Sequence, residues 1–393
     1  MKKITLNSLV FLIDVPAEQM QERFGHHEFI TYRSVCETLF GNKERPDARD
    51  VIHDEIERQI KLRLSLGQRV VVHAPDMKRD FRANIASHMN SIGYNVYYLV
   101  DNEGPSRDIV RNDRGVDVIS VDNSQVQIVR PHGDNYFFQS IREHGYDGIT
   151  VVGDVHGTMN ALQNAVGWAR RRNHFLLFLG DIVDYGLDTL EVADQVYQLM
   201  IRGEAEALLG NHERKIFRYL SPRNKNINHM RLSSGNKVTI DRVNALSTFD
   251  RERWVNRFNS MVHLMRNHRC DEDFIFAHGA VSPDLWASRD FRLRGAQEEI
   301  TLFGEVDDSV KRADSFPNRV YNWVDLLEFG QTAIVGHDIR SSYEPFTHTG
   351  VLGGKAVFLD TGCGKGGHLS TLDIRFHRDG QIIKPKIENT NIH

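Results

Sequence analysis

The sequence of 393 residues predicts an α/β protein with two domains. Short apolar runs alternate with longer amphipathic stretches, which is typical of parallel sheets covered by helices. In the middle of the chain, apolar runs end in Gly-Asp or Gly-Asn, which is typical of buried strands that present a polar side chain at their carboxyl ends. Because the length exceeds what one ordinary hydrophobic core contains, we expect two domains.

The N-terminal domain is predicted from strands and helices that alternate before residue 101. In chain order these are strand 8–13, helix 48–66, strand 69–73, helix 79–92 and strand 94–100. The polar stretch 101–148, rich in glycine and aspartate, indicates connecting structure with short strands. We therefore expect a domain at 1–120, a connecting segment at 121–148 and a second domain at 149–393.

Three turn motifs follow predicted strands in the C-terminal domain. The preceding apolar runs are 149–152, 175–179 and 207–209. The turns contain five side chains that can bind a metal: Asp154, His156, Asp181, Asn211 and His212. Gly-Asp and Gly-Asn are also ordinary turn sequences. Three such turns in order, each after a strand, instead indicate side chains that converge at one edge of a sheet.

These side chains suit a pair of divalent metals. Carboxylate, imidazole and amide ligands together favour Mn, Fe, Zn or Ni. Asp181 can offer one oxygen to each of two ions, which is typical of metal pairs about 3.5–4 Å apart that act on phosphate esters.

Three further polar residues follow apolar runs later in the chain. A predominantly helical stretch at 241–269 precedes strand 274–277, which ends at His278. The run 332–336 ends at His337, and the run 356–359 ends at Asp360. The two histidines are candidate metal ligands. Asp360 either orients a ligand or forms the turn, and the sequence favours neither role.

Five segments, read in order, resemble the metallophosphoesterase superfamily that includes calcineurin-type protein phosphatases. They are GDVHG at 153–157, GDIVD at 180–184, GNHE at 210–213, HGAVSPD at 278–284 and VGHD at 335–338. Residues 304–305, 317–323 and 359–367 extend the resemblance to the phosphatase module of bacterial polynucleotide kinase-phosphatases. The resemblance implies an α/β/β/α sandwich of two mixed sheets flanked by helices.

The resemblance also implies a site with two metals, Mn²⁺ or Ni²⁺, with Fe or Zn as alternatives. One metal would be held by Asp154, His156 and Asp181, and the other by Asp181, Asn211, His278 and His337. His212, paired with Asp184, would face the leaving group, since a carboxylate partner keeps an imidazole charged and oriented. A water bridging the metals would attack phosphorus without a covalent intermediate.

One position departs from the resemblance. Tyr185 follows Asp184 where the superfamily usually has an arginine that grips a terminal phosphate. A phenol offers one neutral donor in place of a charged bidentate fork. We therefore expect a preference for diesters or cyclic phosphates over monoesters, unless Arg214 or Arg319 compensates.

The N-terminal domain resembles a P-loop kinase domain in layout but lacks its chemistry. Met20 and Gln21 stand where a phosphate-binding loop needs Lys and Ser or Thr. Asp14 and Glu18 would repel phosphate. We expect a degenerate, pseudokinase-like domain without kinase activity that serves as scaffold, oligomer contact or substrate platform.

The leading functional interpretation is a phosphoesterase that acts on RNA or DNA ends, with 2′- or 3′-phosphates or 2′,3′-cyclic phosphates as substrates. The alternatives are a protein serine/threonine phosphatase, favoured by segment 278–284, and a dinucleoside polyphosphate hydrolase. Three scattered cysteines and the absence of a long apolar run favour the cytoplasm, with no membrane partner. A homo-oligomer formed through the N-terminal domain stays open.

Overall fold

The computed structural model divides the chain into two compact units. The first contains Met1–Pro131, Met200–Gly203 and Leu246–Leu264, and the second contains His132–Leu199, Glu204–Ala245 and Met265–His393. The residues described are 2–41, 48–75, 77–101, 116–121, 126–130, 137–221, 230–271, 273–287, 292–311, 317–376 and 386–392. Among them, no helix combines the length and apolar character needed to cross a membrane.

The N-terminal unit is built around a five-stranded parallel sheet with strand order β3-β4-β2-β5-β6. A separate parallel pair joins β1 to β7. The strands are β1 Lys3–Ile4, β2 Ser8–Ile13, β3 Phe29–Thr31, β4 Val70–His73, β5 Asn95–Val100, β6 Asp117–Ser120 and β7 Gln127–Ile128. The helices before residue 101 are α1 Ala17–Gln21, α2 Tyr32–Phe40, α3 Arg49–Ser65 and α4 Arg79–Ser91, with a 3₁₀ turn at His26–Glu28.

Helix α3 carries a buried apolar stripe with helical spacing. Ile52, Ile56, Ile60 and Leu64 are fully buried and lie four residues apart, so they line one face of the helix. This face packs into the apolar core that contains strands β2 and β4. Gly67, at φ +76°, follows the end of the helix in the left-handed region that favours glycine.

The C-terminal unit contains two mixed five-stranded sheets, in the orders β10-β9-β8-β18-β19 and β11-β12-β15-β17-β16. A hairpin pairs β13 with β14. The strands of the unit are β8 Gly148–Val152, β9 His174–Phe178, β10 Ala205–Ala207, β11 His268–Asp271, β12 Phe274–Ala277, β13 Glu305–Lys311, β14 Pro317–Val320, β15 Thr332–Val335, β16 Phe346–Thr349, β17 Lys355–Phe358, β18 Ser370–Arg375 and β19 Lys386–Ile392.

The remaining helices are α5 Phe137–Glu143, α6 Met159–Arg171, α7 Thr189–Ile201, α8 Asn211–Leu220, α9 Ser234–Asn244, α10 Thr248–Leu264, α11 Asp284–Ala287 and α12 Ala296–Phe303, with a 3₁₀ turn at Asn322–Leu326. The two sheets share one core, since Val151 and Leu177 of the first sheet belong to the same apolar cluster as Phe276 and Ile334 of the second. Two mixed sheets packed on each other agree with the predicted sandwich.

The sheet directions bring the predicted motifs to common edges. Strands β8, β9 and β10 run parallel, as do β12, β15 and β17. Within each set, the carboxyl ends therefore lie at one edge of the sheet. The turns that follow five of these strands contain Asp154, Asp181, His278, His337 and Asp360, and Asn211 lies beyond β10.

Most predicted elements of the N-terminal domain are confirmed, but some later boundaries are wrong. The predicted strand 207–209 ends at Ala207, and the helical stretch predicted at 241–269 begins at Ser234 and gives way to a strand at His268. The earlier start follows from a cap, because Ser233 and Asn236 each bond the other's backbone N–H.

The division into units differs from the predicted boundaries 1–120, 121–148 and 149–393. Helix α10 belongs to the N-terminal unit, although the prediction placed its residues in the C-terminal domain. The physical reason is its packing on α3: the Ser260 hydroxyl donates to the Leu64 carbonyl at 3.2 Å and lies 3.4 Å from the Tyr94 hydroxyl. Parts of segment 121–148 lie outside the described residues.

Asp373 on β18 is a buried carboxylate in the C-terminal unit. It accepts hydrogen bonds from Thr150 Oγ1 at 2.8 Å and Trp168 Nε1 at 2.9 Å, and His174 Nδ1 lies 3.5 Å away. Burial alone would raise its pKa. The hydrogen bonds from His174, Thr150 and Trp168 outweigh burial and lower the pKa below its usual value.

We predict that Asp373→Asn lowers the free energy of unfolding by about 1.5–3 kcal/mol at pH 7, because bonds to a charged acceptor are lost. The folded pKa lies below the unfolded value of about 3.9, so this stabilisation is present above that pH and disappears as the pH falls through the folded pKa. Urea titrations followed by tryptophan fluorescence at pH 7 and pH 3 measure the difference. The control is Glu344→Gln at an exposed carboxylate. Equal stability of Asp373→Asn and the native protein at pH 7 would contradict the prediction.

Candidate metal centre

The turn after β8 places a carboxylate and an imidazole at the sheet edge. Asp154 is buried and accepts the backbone N–H of His337 with both oxygens at 3.1 Å. His156 Nδ1 donates to the Val183 carbonyl at 2.9 Å, because a carbonyl can only accept. Its Nε2 therefore carries a lone pair, and it lies 3.9 Å from Asp154 Oδ2.

Asp181, in the turn after β9, lies at the centre of the cluster of candidate ligands. We use this name for Asp154, His156, Asp181, Asn211, His212, His278 and His337. Its Oδ2 is 3.7 Å from both His156 Nε2 and His212 Nε2, and its Oδ1 is 3.3 Å from His278 Nε2. Oδ1 also accepts the backbone N–H of His212 at 3.1 Å. One carboxylate thus faces three imidazoles with its two oxygens.

The backbone around this carboxylate is strained. Asp181, Asp184 and Tyr185 have φ angles of +48°, +79° and +60°, a region that residues other than glycine seldom adopt. Strain of this kind persists only where the surroundings enforce it. Here the surroundings are supplied by a glutamate from the next motif.

Glu213 holds the turn after β9 in place. Its carboxylate accepts the backbone N–H groups of Asp181, Ile182 and Val183 at 2.8–3.0 Å, and that of Gly210 at 3.2 Å. This role of Glu213 was not predicted from the sequence. The available signal was the position of Glu213 in the first turn of α8, where a glutamate caps a helix start.

Asn211 and two late histidines form the other side of the cluster. His278 Nδ1 donates to the Leu179 carbonyl at 3.0 Å, which leaves Nε2 directed at Asn211 Oδ1, 2.9 Å away. The His278 and His337 rings lie 4.9 Å apart. His337 is held at φ +65° in the turn after β15.

The donor set fits divalent metals. Ligand atoms fall into two groups within 4.8 Å, one formed by His156, Asp181 and His212 and the other by Asp181, His278 and His337. Among the described residues, the buried Nε2 atoms of His156 and His337 have no hydrogen-bond partner. Burial lowers the pKa of both imidazoles, which favours the neutral form that binds metals. Bound cations would satisfy these lone pairs.

His212 belongs to the first group by distance but differs from its neighbours in charge. Its Nδ1 lies 2.5 Å from Asp184 Oδ2. Burial lowers its pKa, but Asp181 and Asp184 outweigh burial and raise the pKa above its usual value. A protonated imidazole cannot bind a metal, so this environment suits a proton donor.

Asp184 is fixed by residues that sequence reasoning did not identify. Asn236 Nδ2 and Thr239 Oγ1, both on α9, donate to its carboxylate at 2.5 Å. Its backbone N–H donates to Thr189 Oγ1 at 2.9 Å. These partners lie outside the strand-end motifs, and nothing in their local sequence distinguishes them from ordinary helix residues.

Asp360 has features of both roles that the sequence left open, which are forming the turn and orienting a ligand. Its Oδ1 accepts the Gly362 N–H at 2.9 Å, as a turn-forming aspartate does. Its Oδ2 is buried, with no hydrogen-bond partner among the described residues. Burial raises the pKa of both Asp154 and Asp360, and the Asp360 charge raises that of Asp154 further. A cation beside Asp154 would relieve this repulsion.

The two candidate arginines are both engaged elsewhere. Arg214 pairs with Glu298 at 3.1 Å and with Glu299 at 2.9 Å. Arg319 donates to the Phe303 carbonyl and lies 3.5 Å from Asp338. Arg319 also contributes to the lowered pKa of His337, after burial and His278, so its charge lies near the cluster. The basic residues Arg223 and Lys225, which follow α8 in the sequence, lie outside the described residues.

Tyr185 packs against the cluster, and a lysine lies over its ring. The Tyr185 ring is 4.8 Å from the His156 ring and 5.5 Å from the His212 ring. Lys365 Nζ lies 5.0 Å from the Tyr185 ring centroid. Burial lowers the pKa of Lys365, but Asp360, Asp154 and Asp181 outweigh it and raise the pKa. The Gly364-Lys365 pair lacks P-loop spacing, and no strand-end pattern connects it to Tyr185.

Comparison with known proteins agrees with this site. The calcineurin-like phosphoesterase family model matches residues 148–350, just over half of the chain. The asymmetrical bis(5'-nucleosyl)-tetraphosphatase PrpE of Halalkalibacterium halodurans is 26% identical over 234 residues, which are 56% of this chain and 88% of the relative. The Bacillus thuringiensis enzyme of the same name is 24% identical over 239 residues, with the same two coverages.

Among solved structures, a protein serine/threonine phosphatase from Saccharomyces cerevisiae is 15% identical, with a TM-score of 0.40 and coverage of 86% of this chain and 94% of that chain. The matched family region contains all the candidate ligands named above, from Asp154 to His337. The chain therefore belongs to the calcineurin-like phosphoesterase family and is a hydrolase that acts on phosphate esters.

Proposed function

We propose that the chain hydrolyses phosphate esters at a pair of divalent ions, Mn²⁺ or Ni²⁺, that share Asp181. The observation that carries this proposal is the position of the Asp181 carboxylate between the two groups of candidate ligands. The proposed ligands are Asp154, His156, Asp181, Asn211, His278 and His337. Bound ions supply positive charge to phosphate oxygens and lower the pKa of water.

His212 is the proposed proton donor to the leaving oxygen. Its contact with Asp184 favours the charged imidazole and fixes the ring. Asn236 and Thr239 occupy Asp184 with two further hydrogen bonds, so the carboxylate cannot turn away from His212. This arrangement keeps the proton donor oriented toward the leaving oxygen. The proposed mechanism requires no covalent nucleophile.

Dinucleoside polyphosphates are the proposed substrate class. Support comes from the two curated relatives named as bis(5'-nucleosyl)-tetraphosphatases, each matched over 88% of its length. Nucleic-acid ends are the second candidate, supported by the layout of the N-terminal unit. In a dinucleoside polyphosphate the phosphates are joined directly as anhydrides, whereas at a nucleic-acid end the next backbone phosphate is one nucleoside away.

For the N-terminal unit we propose a P-loop-kinase-like layout without kinase activity. Its central strand β2 lies between β4 and β5, an order in which ligands bind beyond the carboxyl ends of the strands. There, Asp14 and Glu18 line a cavity of about 390 Å³ with His73 and Arg82. Two acidic residues at this place oppose a nucleotide's phosphates, which supports a role as scaffold or substrate platform.

Removal of the shared carboxylate tests the two-metal proposal. Asp181→Ala should reduce Mn²⁺-dependent hydrolysis of an aryl phosphate by at least about a hundredfold, since changing a residue that only orients a ligand already costs about 10–100-fold. The measurement is kcat/KM at saturating Mn²⁺, with Glu344→Ala as the control and chelator as a second test. Full activity of Asp181→Ala, or of chelated protein, would refute the proposal.

A substrate panel tests the proposed class. With Mn²⁺, we expect kcat/KM for diadenosine tetraphosphate to exceed that for the other substrates by at least about tenfold, equal to about 1.4 kcal/mol of transition-state binding. The others are a 3′-phosphorylated oligonucleotide, a 2′,3′-cyclic nucleotide and a phosphopeptide. Asp181→Ala controls for contaminating activity. A preference for the oligonucleotide or cyclic nucleotide would favour nucleic-acid ends instead, and a preference for the phosphopeptide would favour a protein phosphatase.

A further inference from the structure

Among the described residues, few side chains near the cluster offer positive charge to a ligand. Arg214 is neutralised by two glutamates, and Arg319 is bound to the Phe303 carbonyl beside Asp338. Lys365 is exposed, and among the described residues no carboxylate lies within 4.0 Å of its ammonium group. Lys215, half-buried on α8, is a second lysine near the cluster, and its charge interacts with that of Asp184.

The loop that carries Lys365 is fixed against the cluster. Gly364, at φ +72°, lies so close to His156 that an added Cβ would approach the His156 Cβ to 2.7 Å. The Lys365 and Gly367 N–H groups both donate to the Gly362 carbonyl at 2.9 Å. These two hydrogen bonds lie within the loop and keep its shape. The Cys363 thiol, whose Sγ lies 3.3 Å from the Val155 carbonyl, holds the loop beside the turn after β8.

Tyr185 provides the surface on which the ammonium group rests. The 5.0 Å separation between Nζ and the ring centroid is within cation–π range. Gly235 also packs closely on the ring, since a Cβ there would lie 2.8 Å from two of the ring atoms. The same ring contacts the imidazoles of His156 and His212, so the Tyr185 ring contacts both the Lys365 ammonium group and the candidate ligands.

We propose that Lys365 is a specificity-determining residue that binds the phosphate adjacent to the one being hydrolysed. A lysine is a flexible point charge, suited to a second phosphate at variable distance. This inference rests on the proposed function and deepens it: the preferred substrates carry an oligophosphate chain or a neighbouring backbone phosphate. It also assigns to Lys365 the charge that Tyr185 lacks.

Competition against aryl phosphate hydrolysis tests this inference without the proposed substrate. The inhibitors are inorganic tripolyphosphate and inorganic phosphate, at constant free Mn²⁺. In Lys365→Met the inhibition constant for tripolyphosphate should rise about ten- to hundredfold relative to that for phosphate, as expected for loss of a bond between charged groups. Lys365→Arg, which keeps the charge, should restore the native ratio to within about threefold.

Lys355→Met is the matched control, because Lys355 is exposed at the opposite end of β17 from Asp360. Lys215→Met tests whether Lys215, and not Lys365, provides the charge that binds tripolyphosphate. An unchanged ratio in Lys365→Met, or equal weakening of both inhibitors, would overturn the inference. If native protein leaves diadenosine tetraphosphate intact while Lys365→Met selectively weakens tripolyphosphate binding, the proposed substrate fails and the role of Lys365 stands.

Discussion

The C-terminal unit depends on one buried carboxylate that several elements share. Asp181 receives the N–H of His212, faces three imidazoles and sits in a turn whose backbone is bound by Glu213. Its position fixes the motif after β9 relative to the motif after β10. His278 and His337 belong to the same cluster because β12 and β15 end close to the Asp181 carboxylate. Without this central acceptor, the three imidazoles would lose the carboxylate that they share, and each would keep only its own partner.

Several carboxylates buried in one site raise the free energy of the folded state unless hydrogen-bond donors or cations offset each negative charge. Isolated buried charges lose hydration worth several kcal/mol each. Glu213 is compensated by four backbone N–H groups and Asp184 by Asn236, Thr239 and His212. Asp154 and Asp360 have fewer donors. Burial raises the pKa values of both, and it also raises the pKa of Glu213 to about 7. Cations bound beside Asp154 and Asp181 would offset the negative charge of the site, while the hydrogen bonds of Glu213 hold the turn after β9.

The sequence predicted those parts of the structure that repeat a local pattern. Strand β2 and the strand before His278 match their predicted bounds, and every candidate ligand follows a buried strand because apolar runs and Gly-Asp turns are local signals. Long-range partners gave no such signal. Asn236, Thr239 and Lys365 reach the site through the tertiary fold, and α10 joins the N-terminal unit through its packing on α3. Local patterns carry no information about such contacts.

Metal content tests the central claim most directly. Protein stripped with chelator, saturated with Mn²⁺ and freed of excess ion should contain two ions per chain by elemental analysis, since Asp181 lies between two groups of ligands. His337→Ala should retain one ion, because His337 belongs to only one group. One ion or none in the native protein, or two ions in His337→Ala, would contradict the account.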